Sequence, residues 1–351
     1  MSVLPSPRIL GIGTSNPPRR YSQREIYDIS AVHFPMYRSP RIEQIFMNSD
    51  IDYRHFSFDK ETFVPNETAD QLHARFEDHA VPLAAEAARA CLDAAGAEVG
   101  AVDAVIAVSC TGYLCPGISA LLIKEMAMRV DVQRADLIGM GCAGAMPGLQ
   151  RAYDFVRANP GKRALVVTVE ICSACYYVDE SLETVVGNAI CGDGAAAVLV
   201  GDDAESSGPQ ILRFETLLEP SFIHTVGFQF RGGKLRIVLS KDIRDAAGGL
   251  AAKLVGSLLA AGGVDRREIA HWIIHSGGRK VIDGIKDEIG LAEDQLKWSR
   301  ETLKNFGNMS SPTVLFVLES TIANAAPMPG DLGVMLAMGP GLAIEGALLR
   351  W

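Results

Sequence analysis

The chain has 351 residues, 48% of them hydrophobic, and a net charge of −9. That is enough to bury a large core and to make about two domains at ~150 residues each. The acidic balance, with no block of Lys or Arg, argues against nucleic acid and anionic membrane as partners. Seven cysteines form an odd count that suits free thiols in a reducing cytoplasm better than a disulfide scaffold. No uncharged apolar stretch of 18 residues and no secretory h-region is visible, so a soluble cytoplasmic protein is expected.

Strand-like and helix-like segments alternate along the chain. Residues 8–13 read as an apolar strand ending in the turn Asn16-Pro17-Pro18. Ser22-Gln23-Arg24-Glu25 is a capping-box pattern that opens a helix to about residue 33. Residues 35–52 are less regular, and residues 51–58 alternate weakly, as an edge strand does. Residues 67–96 are helical in pattern, with Pro82 expected to divide them into two helices. Residues 104–110 read as a buried strand and residues 118–128 as an apolar helix. Residues 163–172 form another buried strand, and residues 181–190 a short helix.

Gly192-Asp193-Gly194 is a tight turn feeding a strand. Residues 202–210 are the most linker-like stretch, so halves of 1–205 and 206–351 are expected. In the second half, residues 241–261, 280–289 and 310–324 read as helices. Residues 268–275, 331–338 and 342–349 read as strands. Alternation in both halves predicts an α/β fold of two similar layered units.

The stretch Gly141-Cys142-Ala143-Gly144 lies between an apolar run and an amphipathic segment. Strand, turn, helix is the expected local structure, and a helix N-terminus beside Cys142 would favour thiolate. The alternative is a small buried hydrophobe. His275 ends an apolar strand and enters the glycine turn Ser276-Gly277-Gly278. A structural histidine is the alternative there. Asn308, in Gly307-Asn308-Met309-Ser310, precedes a helix, where an N-cap or turn role competes. A Cys/His/Asn set can run acyl transfer, with imidazole N–H and amide N–H₂ as an oxyanion hole.

Other candidates carry less. Cys172-Ser173-Ala174-Cys175 is a lone CxxC, weak as a metal half-site. Gly11-Ile12-Gly13 lacks the third glycine of a dinucleotide fingerprint. Asp193 is expected to satisfy backbone donors in its turn. His55, His73, His79, His224 and His271 have no partner at ligand spacing.

Taken together, the Cys142, Gly192-Asp193-Gly194, His275-Ser276-Gly277-Gly278, Asn308 and Gly339-Pro340-Gly341 motifs resemble, in order and spacing, the type III polyketide synthases. This is the chalcone synthase-like branch of the thiolase superfamily. The resemblance runs from about Arg8 to Trp351. It implies a thiolase fold, a duplicated αβαβα sandwich, and a homodimer. It also implies a Cys142, His275 and Asn308 triad that loads an acyl-CoA and extends it with malonyl-CoA. Decarboxylation makes the carbanion, so neither metal nor other cofactor is implied. An acyl carrier protein remains a possible donor.

Departures from the plant pattern bear on the substrate. Cys191 stands where those enzymes carry a gatekeeper phenylalanine, and Cys110 and Cys175 replace pocket threonines. Cys115 replaces a methionine that crosses the dimer interface. Ser310, Gly339 and Pro340 complete the implied pocket. In the implied CoA-phosphate grip Arg41 matches, while Gln44 and Asn48 fall where cations are expected. Arg279 and Lys280, with Arg38 and Arg54, are the candidates to compensate. A fatty acyl starter giving an alkylresorcinol or alkylpyrone is favoured. The alternatives are a malonyl-only tetrahydroxynaphthalene or phloroglucinol-type synthase and a ketoacyl-ACP synthase III-like single condensation. Starter, number of extensions and ring chemistry are not legible.

Overall fold

The computed structural model describes residues 7–351 except 62, 64, 65, 180, 204, 205, 241 and 242, and except the side chains of 244 and 245. The expected boundary at 205 and the expected helix start at 241 fall outside the described residues. In chain order the first half has strands β1 (Arg8–Ser15) and β2 (Arg20–Ser22), helices α1 (Gln23–His33) and α2 (Pro40–Met47), strand β3 (Tyr53–His55), helix α3 (Ala69–Ala94), strand β4 (Ala104–Ser109) and helix α4 (Ile118–Glu125). Strand β5 (Gln133–Ile138), helix α5 (Ala145–Ala158), strand β6 (Ala164–Glu170), helix α6 (Leu182–Ile190) and strand β7 (Gly194–Gly201) complete it. The second half has strands β8 (Gln210–Leu218), β9 (Val226–Arg231) and β10 (Lys234–Leu239), helix α7 (Ile243–Gly262) and strand β11 (Ile269–Ile274). Helices α8 (Arg279–Ile289), α9 (Lys297–Phe306) and α10 (Thr313–Asn324) and strands β12 (Leu332–Gly339) and β13 (Ala343–Arg350) follow.

The two halves repeat one pattern. In the first, β5, β4 and β6 are parallel, then β7 and β1 add antiparallel. In the second, β11 and β12 are parallel, then β13 and β8 add antiparallel. The halves meet where β1 pairs β8 at Arg8 and Gln210. Helix α3 covers the outer face of the first half and α7 with α8 that of the second. Helices α5 and α10 lie between, sharing a core of Val108, Met146, Leu149, Val198, Leu315, Met335 and Ala347. The result is the duplicated αβαβα sandwich. Strands such as β6 and β12 are buried throughout because helices cover both faces.

Local chemistry explains individual elements. Ser22 and Glu25 form the expected capping box on α1. Gly11 and Gly13 let β1 approach α3: a Cβ on them would lie 2.5 and 2.3 Å from backbone atoms of Cys91. Helix α3 is not divided at Pro82, contrary to the expectation. The buried face of Ala80, Leu83, Ala84, Ala87 and Ala88 holds it together despite a proline cost of ~3 kcal/mol. The irregular stretch 35–52 contains α2, and β9, β10 and α9 were not anticipated. Among the described residues no helix is long and apolar enough to cross a membrane.

Candidate active site

Cys142 sits in a single 3₁₀ turn, Gly141–Ala143, between β5 and α5. Gly141 is left-handed at φ +50°, and a Cβ there would fall 2.4 Å from Cδ of Pro340. A Cβ on Gly339 would fall 2.6 Å from the carbonyl oxygen of Met140. The Gly339-Pro340 corner between β12 and β13 therefore packs directly on the cysteine turn. Only glycine fits both positions.

His275 follows β11, its N–H donating to the Leu336 carbonyl of the parallel neighbour at 2.8 Å. The imidazole lies against Gly277, where a Cβ would come within 3.3 Å of Nε2. Asn308 is clamped by its backbone: its N–H donates to Ile190 at 2.8 Å, and its carbonyl accepts from Gly192 at 3.0 Å. Its Oδ1 accepts from the Ser310 N–H at 2.8 Å, and its Nδ2 donates to the Gly277 carbonyl at 3.3 Å. Oδ1 and Nδ2 each lie 3.9 Å from Cys142 Sγ. Asn308 of the second half thus meets the thiol of the first, and Gly277, two residues past His275, is tied to the same amide.

Both imidazole nitrogens of His275 are buried with no hydrogen-bond partner. Burial alone pulls its pKa down to about 4, so the ring is neutral at pH 7. The same burial pushes the Cys142 thiol up to about 12, against the lowering bonds from Ser310 and Asn308. This differs from the expected thiolate. One helix end does not offset the desolvation of a sulfur anion in a site this deep. Both groups rest uncharged, Cys142 as thiol and His275 as neutral imidazole. Alkylation of Cys142 by iodoacetamide is expected to rise about tenfold per pH unit from pH 6 to pH 9, because only thiolate reacts. A plateau starting below pH 7 would instead require a thiolate–imidazolium pair.

A second layer was missed by the sequence reading. Glu170, at the end of β6, is fully buried. Its Oε2 accepts from Cys110 N–H at 3.0 Å, Thr111 N–H at 3.1 Å and Thr111 Oγ1 at 2.8 Å. Its Oε1 accepts from Ser311 Oγ at 2.6 Å and Cys110 Sγ at 3.3 Å. Cys110 Sγ also lies 3.4 Å from Ser310 Oγ, and Ser310 itself is left-handed at φ +59°. The available signal was one carboxylate closing an otherwise uncharged strand. Asp193 behaves as expected, accepting from the Ser57 and Ser173 N–H groups at 2.7 and 2.8 Å.

A cavity of about 910 Å³ opens beside Cys110 and is lined largely by apolar side chains, among them Leu72, Phe76, Ile138, Phe228 and Phe230. Pro340 also lines it. Cys175 and Cys191 lie apart from it, in a small cavity with Cys172. Phe228 borders both. Cys115 is exposed and lines neither cavity within the chain. Arg41 on α2 and Lys280 on α8 are exposed, while Arg279 pairs with Asp50 at 3.6 Å. Arg54 is buried, and Arg38 donates to the carbonyls of Ala31 and Val32. Arg54 is therefore removed as a surface cation. Among the described residues no group of His, Cys, Asp and Glu is placed to hold a metal.

Residues 8–204 match the N-terminal domain of chalcone and stilbene synthases, and residues 222–351 match the C-terminal domain. A 3,5-dihydroxyphenylacetyl-CoA synthase of Streptomyces toyocaensis is 34% identical over 99% of this chain and 90% of its own length. A 1,3,6,8-tetrahydroxynaphthalene synthase of Streptomyces peucetius subsp. caesius is 33% identical over 98% of this chain and 93% of its own. The crystal structure of PKS-I from the brown alga Ectocarpus siliculosus superposes with a TM-score of 0.93 at 30% identity, covering 99% of each chain.

Proposed function

Because the chain belongs to the chalcone and stilbene synthase family of type III polyketide synthases, acyltransferases that condense CoA thioesters, we propose that Cys142 carries the growing acyl chain and that His275 and Asn308 hold the reacting oxygen. The observation that carries this is the buried imidazole with two unpartnered nitrogens, in a site where Asn308 touches Cys142. A buried polar group without a partner is costly, and a substrate oxygen would supply the partner.

In this reading the Cys142 sulfur attacks the acyl-CoA carbonyl. Its proton passes to His275 and leaves with CoA–SH. Malonyl-CoA follows, its thioester oxygen accepting from the imidazole N–H and the Asn308 amide. CO₂ departs, and the electrons of the broken C–C bond move into the enolate. That carbon attacks the acyl-Cys142 carbonyl and expels the sulfur. The chain is then two carbons longer on CoA, ready for reloading or ring closure. Arg41, Arg279 and Lys280 are the proposed phosphate contacts. Cys110 and Pro340, with Ser310 and Gly339 beside them, shape the acyl space, while Cys175 and Cys191 line the small cavity on the other side of Phe228.

The large apolar cavity favours a fatty acyl starter and an alkylresorcinol or alkylpyrone product. The likeness to a tetrahydroxynaphthalene synthase favours the second reading, the malonyl-only synthase. Mass spectrometry of products from malonyl-CoA alone and with acyl-CoA starters of increasing length separates them. Ring products that incorporate long starters are expected. The same product from malonyl-CoA alone, whatever starter is added, would establish the second reading. One β-ketoacyl product on a carrier protein would overturn both. The sedimentation mass of the same sample tests the homodimer. The exposed Tyr113, Ile138 and Met140 beside the edge strand β5 favour a covering second copy, and a single-chain mass would contradict it.

A further inference from the structure

Strands β9 and β10 stand apart from the nine-stranded sheet and pair only with each other, from Val226 opposite Leu239 to Arg231 opposite Lys234. A two-stranded hairpin is marginal by itself, so its position depends on what it is tied to. Its Phe230 is largely exposed, so the outer half carries little packing of its own. The hairpin is also a wall of the acyl space. Val226, Phe228, Phe230 and Leu235 line the large cavity. Phe228 and its cross-strand partner Ile237 line the small cavity with Cys175 and Cys191. Ile237 presses on α6, where a Cβ on Gly187 would fall 2.4 Å from its Cγ2.

Arg236 lies between Leu235 and Ile237 but lines neither cavity. Strand alternation turns its side chain away from theirs. It is buried nonetheless. Its Nε donates to Asp179 Oδ2 at 2.7 Å, and its Nη1 lies 3.9 Å from Glu183 Oε2 in the first turn of α6. Asp179 is fixed in turn, its Oδ1 accepting from the Ser181 N–H at 2.9 Å. Among the described residues, Arg236 alone of β9 and β10 forms ion pairs. Separating a buried pair leaves an uncompensated charge, so this pair ties β10 to one position against α6.

We propose that Arg236 is a positioning residue for starter length: by pinning β10 to Asp179 it fixes in advance the hairpin wall against which a long acyl chain lies. This rests on the reading of the large cavity as the acyl space. A short starter gains little from the wall. A longer one buries methylenes against Phe228, Phe230 and Leu235, at about fourfold in kcat/KM for each. With the wall fixed, that gain goes to binding. With the wall loose, part of it is lost to ordering the hairpin. The Arg236–Asp179 pair therefore acts on long starters and leaves short ones nearly untouched.

The test is the ratio of kcat/KM for dodecanoyl-CoA to that for butanoyl-CoA, each with malonyl-CoA, in the full-length protein. In Arg236→Met the ratio is expected to fall by about tenfold or more, through the KM of the long starter. Arg236→Lys should recover part of it, because the ammonium can still pair with Asp179. Malonyl-CoA decarboxylation is followed in the same samples, since the far end of α6 clamps Asn308 through Ile190 and Gly192. It should stay near the wild-type rate. An unchanged ratio, or an equal loss for both starters, overturns the proposal. So does a loss of decarboxylation as large as the fall in the ratio, which would mark a merely structural role. If Arg236→Met does not fold, Asp179→Asn takes its place: it keeps the acceptor for Ser181, removes the charge, and should lower the ratio likewise. Wild-type protein that does not accept dodecanoyl-CoA sinks the fatty acyl reading and the pin with it. Wild-type protein that does accept it, with an unchanged ratio in the variants, sinks the pin alone.

Discussion

Asn308→Ala and His275→Ala are each expected to slow malonyl-CoA decarboxylation by about 10²–10³, the usual effect of removing one oxyanion donor. Cys142→Ala should end acyl loading and product formation but leave CO₂ release largely intact. The reason is geometric. Asn308 is pinned through its backbone and through the Gly277 and Ser310 bonds, so its amide does not reorganise as charge develops. His275 is neutral at the working pH, its pKa lowered to about 4, and so offers one N–H and one acceptor. Cys142 contributes nothing to the enolate, because that oxygen sits on malonyl-CoA. The two donors share one oxygen, so the double variant should lose less than the product of the singles. Release of ¹⁴CO₂ measures the decarboxylation, and circular dichroism checks the fold. Wild-type decarboxylation in both His275→Ala and Asn308→Ala would sink the oxyanion assignment. Unchanged ring formation in Cys142→Ala would sink the acyl carrier.

Glu170→Ala is expected to be the most destabilising single change near the site, by about 3 kcal/mol or more. It strips partners from the backbone N–H groups of Cys110 and Thr111 and from the hydroxyls of Thr111 and Ser311. All of these lie between β4, β6 and α10, where water is scarce. Glu170→Gln should cost far less. Its carbonyl can face the two N–H groups, which cannot turn to accept. Its amide N–H₂ can face Ser311 Oγ and Cys110 Sγ, which can. Urea denaturation midpoints for the two variants test this. Equal midpoints would mean that the hydrogen bonds to Glu170 do not hold this layer.

Much of the architecture was legible because it rests on local chemistry. The capping box of α1, the apolar runs of β4, β6, β7 and β12, and the turn from β5 into α5 all follow from residues within one or two turns of each other. Pro82 misled because local propensity lost to packing, as the alanine face of α3 shows. Helix α2 was missed because it is short and packs on α6, far along the chain. The β9–β10 hairpin was overlooked although its signal is local: Phe228-Gln229-Phe230 and Leu235-Arg236-Ile237 alternate about Gly232-Gly233, and the two strands pair with each other.

The site divides in the same way. The sequence by itself singled out Cys142, His275 and Asn308, since each stands among small residues at the end of an apolar segment. It also established the α/β class and the duplicated plan. It held no measure of burial, so it favoured a thiolate where the folded protein keeps a thiol. Only the tertiary structure placed Asn308 3.9 Å from the sulfur, left both nitrogens of His275 without a partner, and buried Arg54 with two of its donors idle. Spacing along a chain records which side chains reach an element's end. Desolvation and unanswered charge arise only when distant segments close around them, and those set the protonation states on which the chemistry depends.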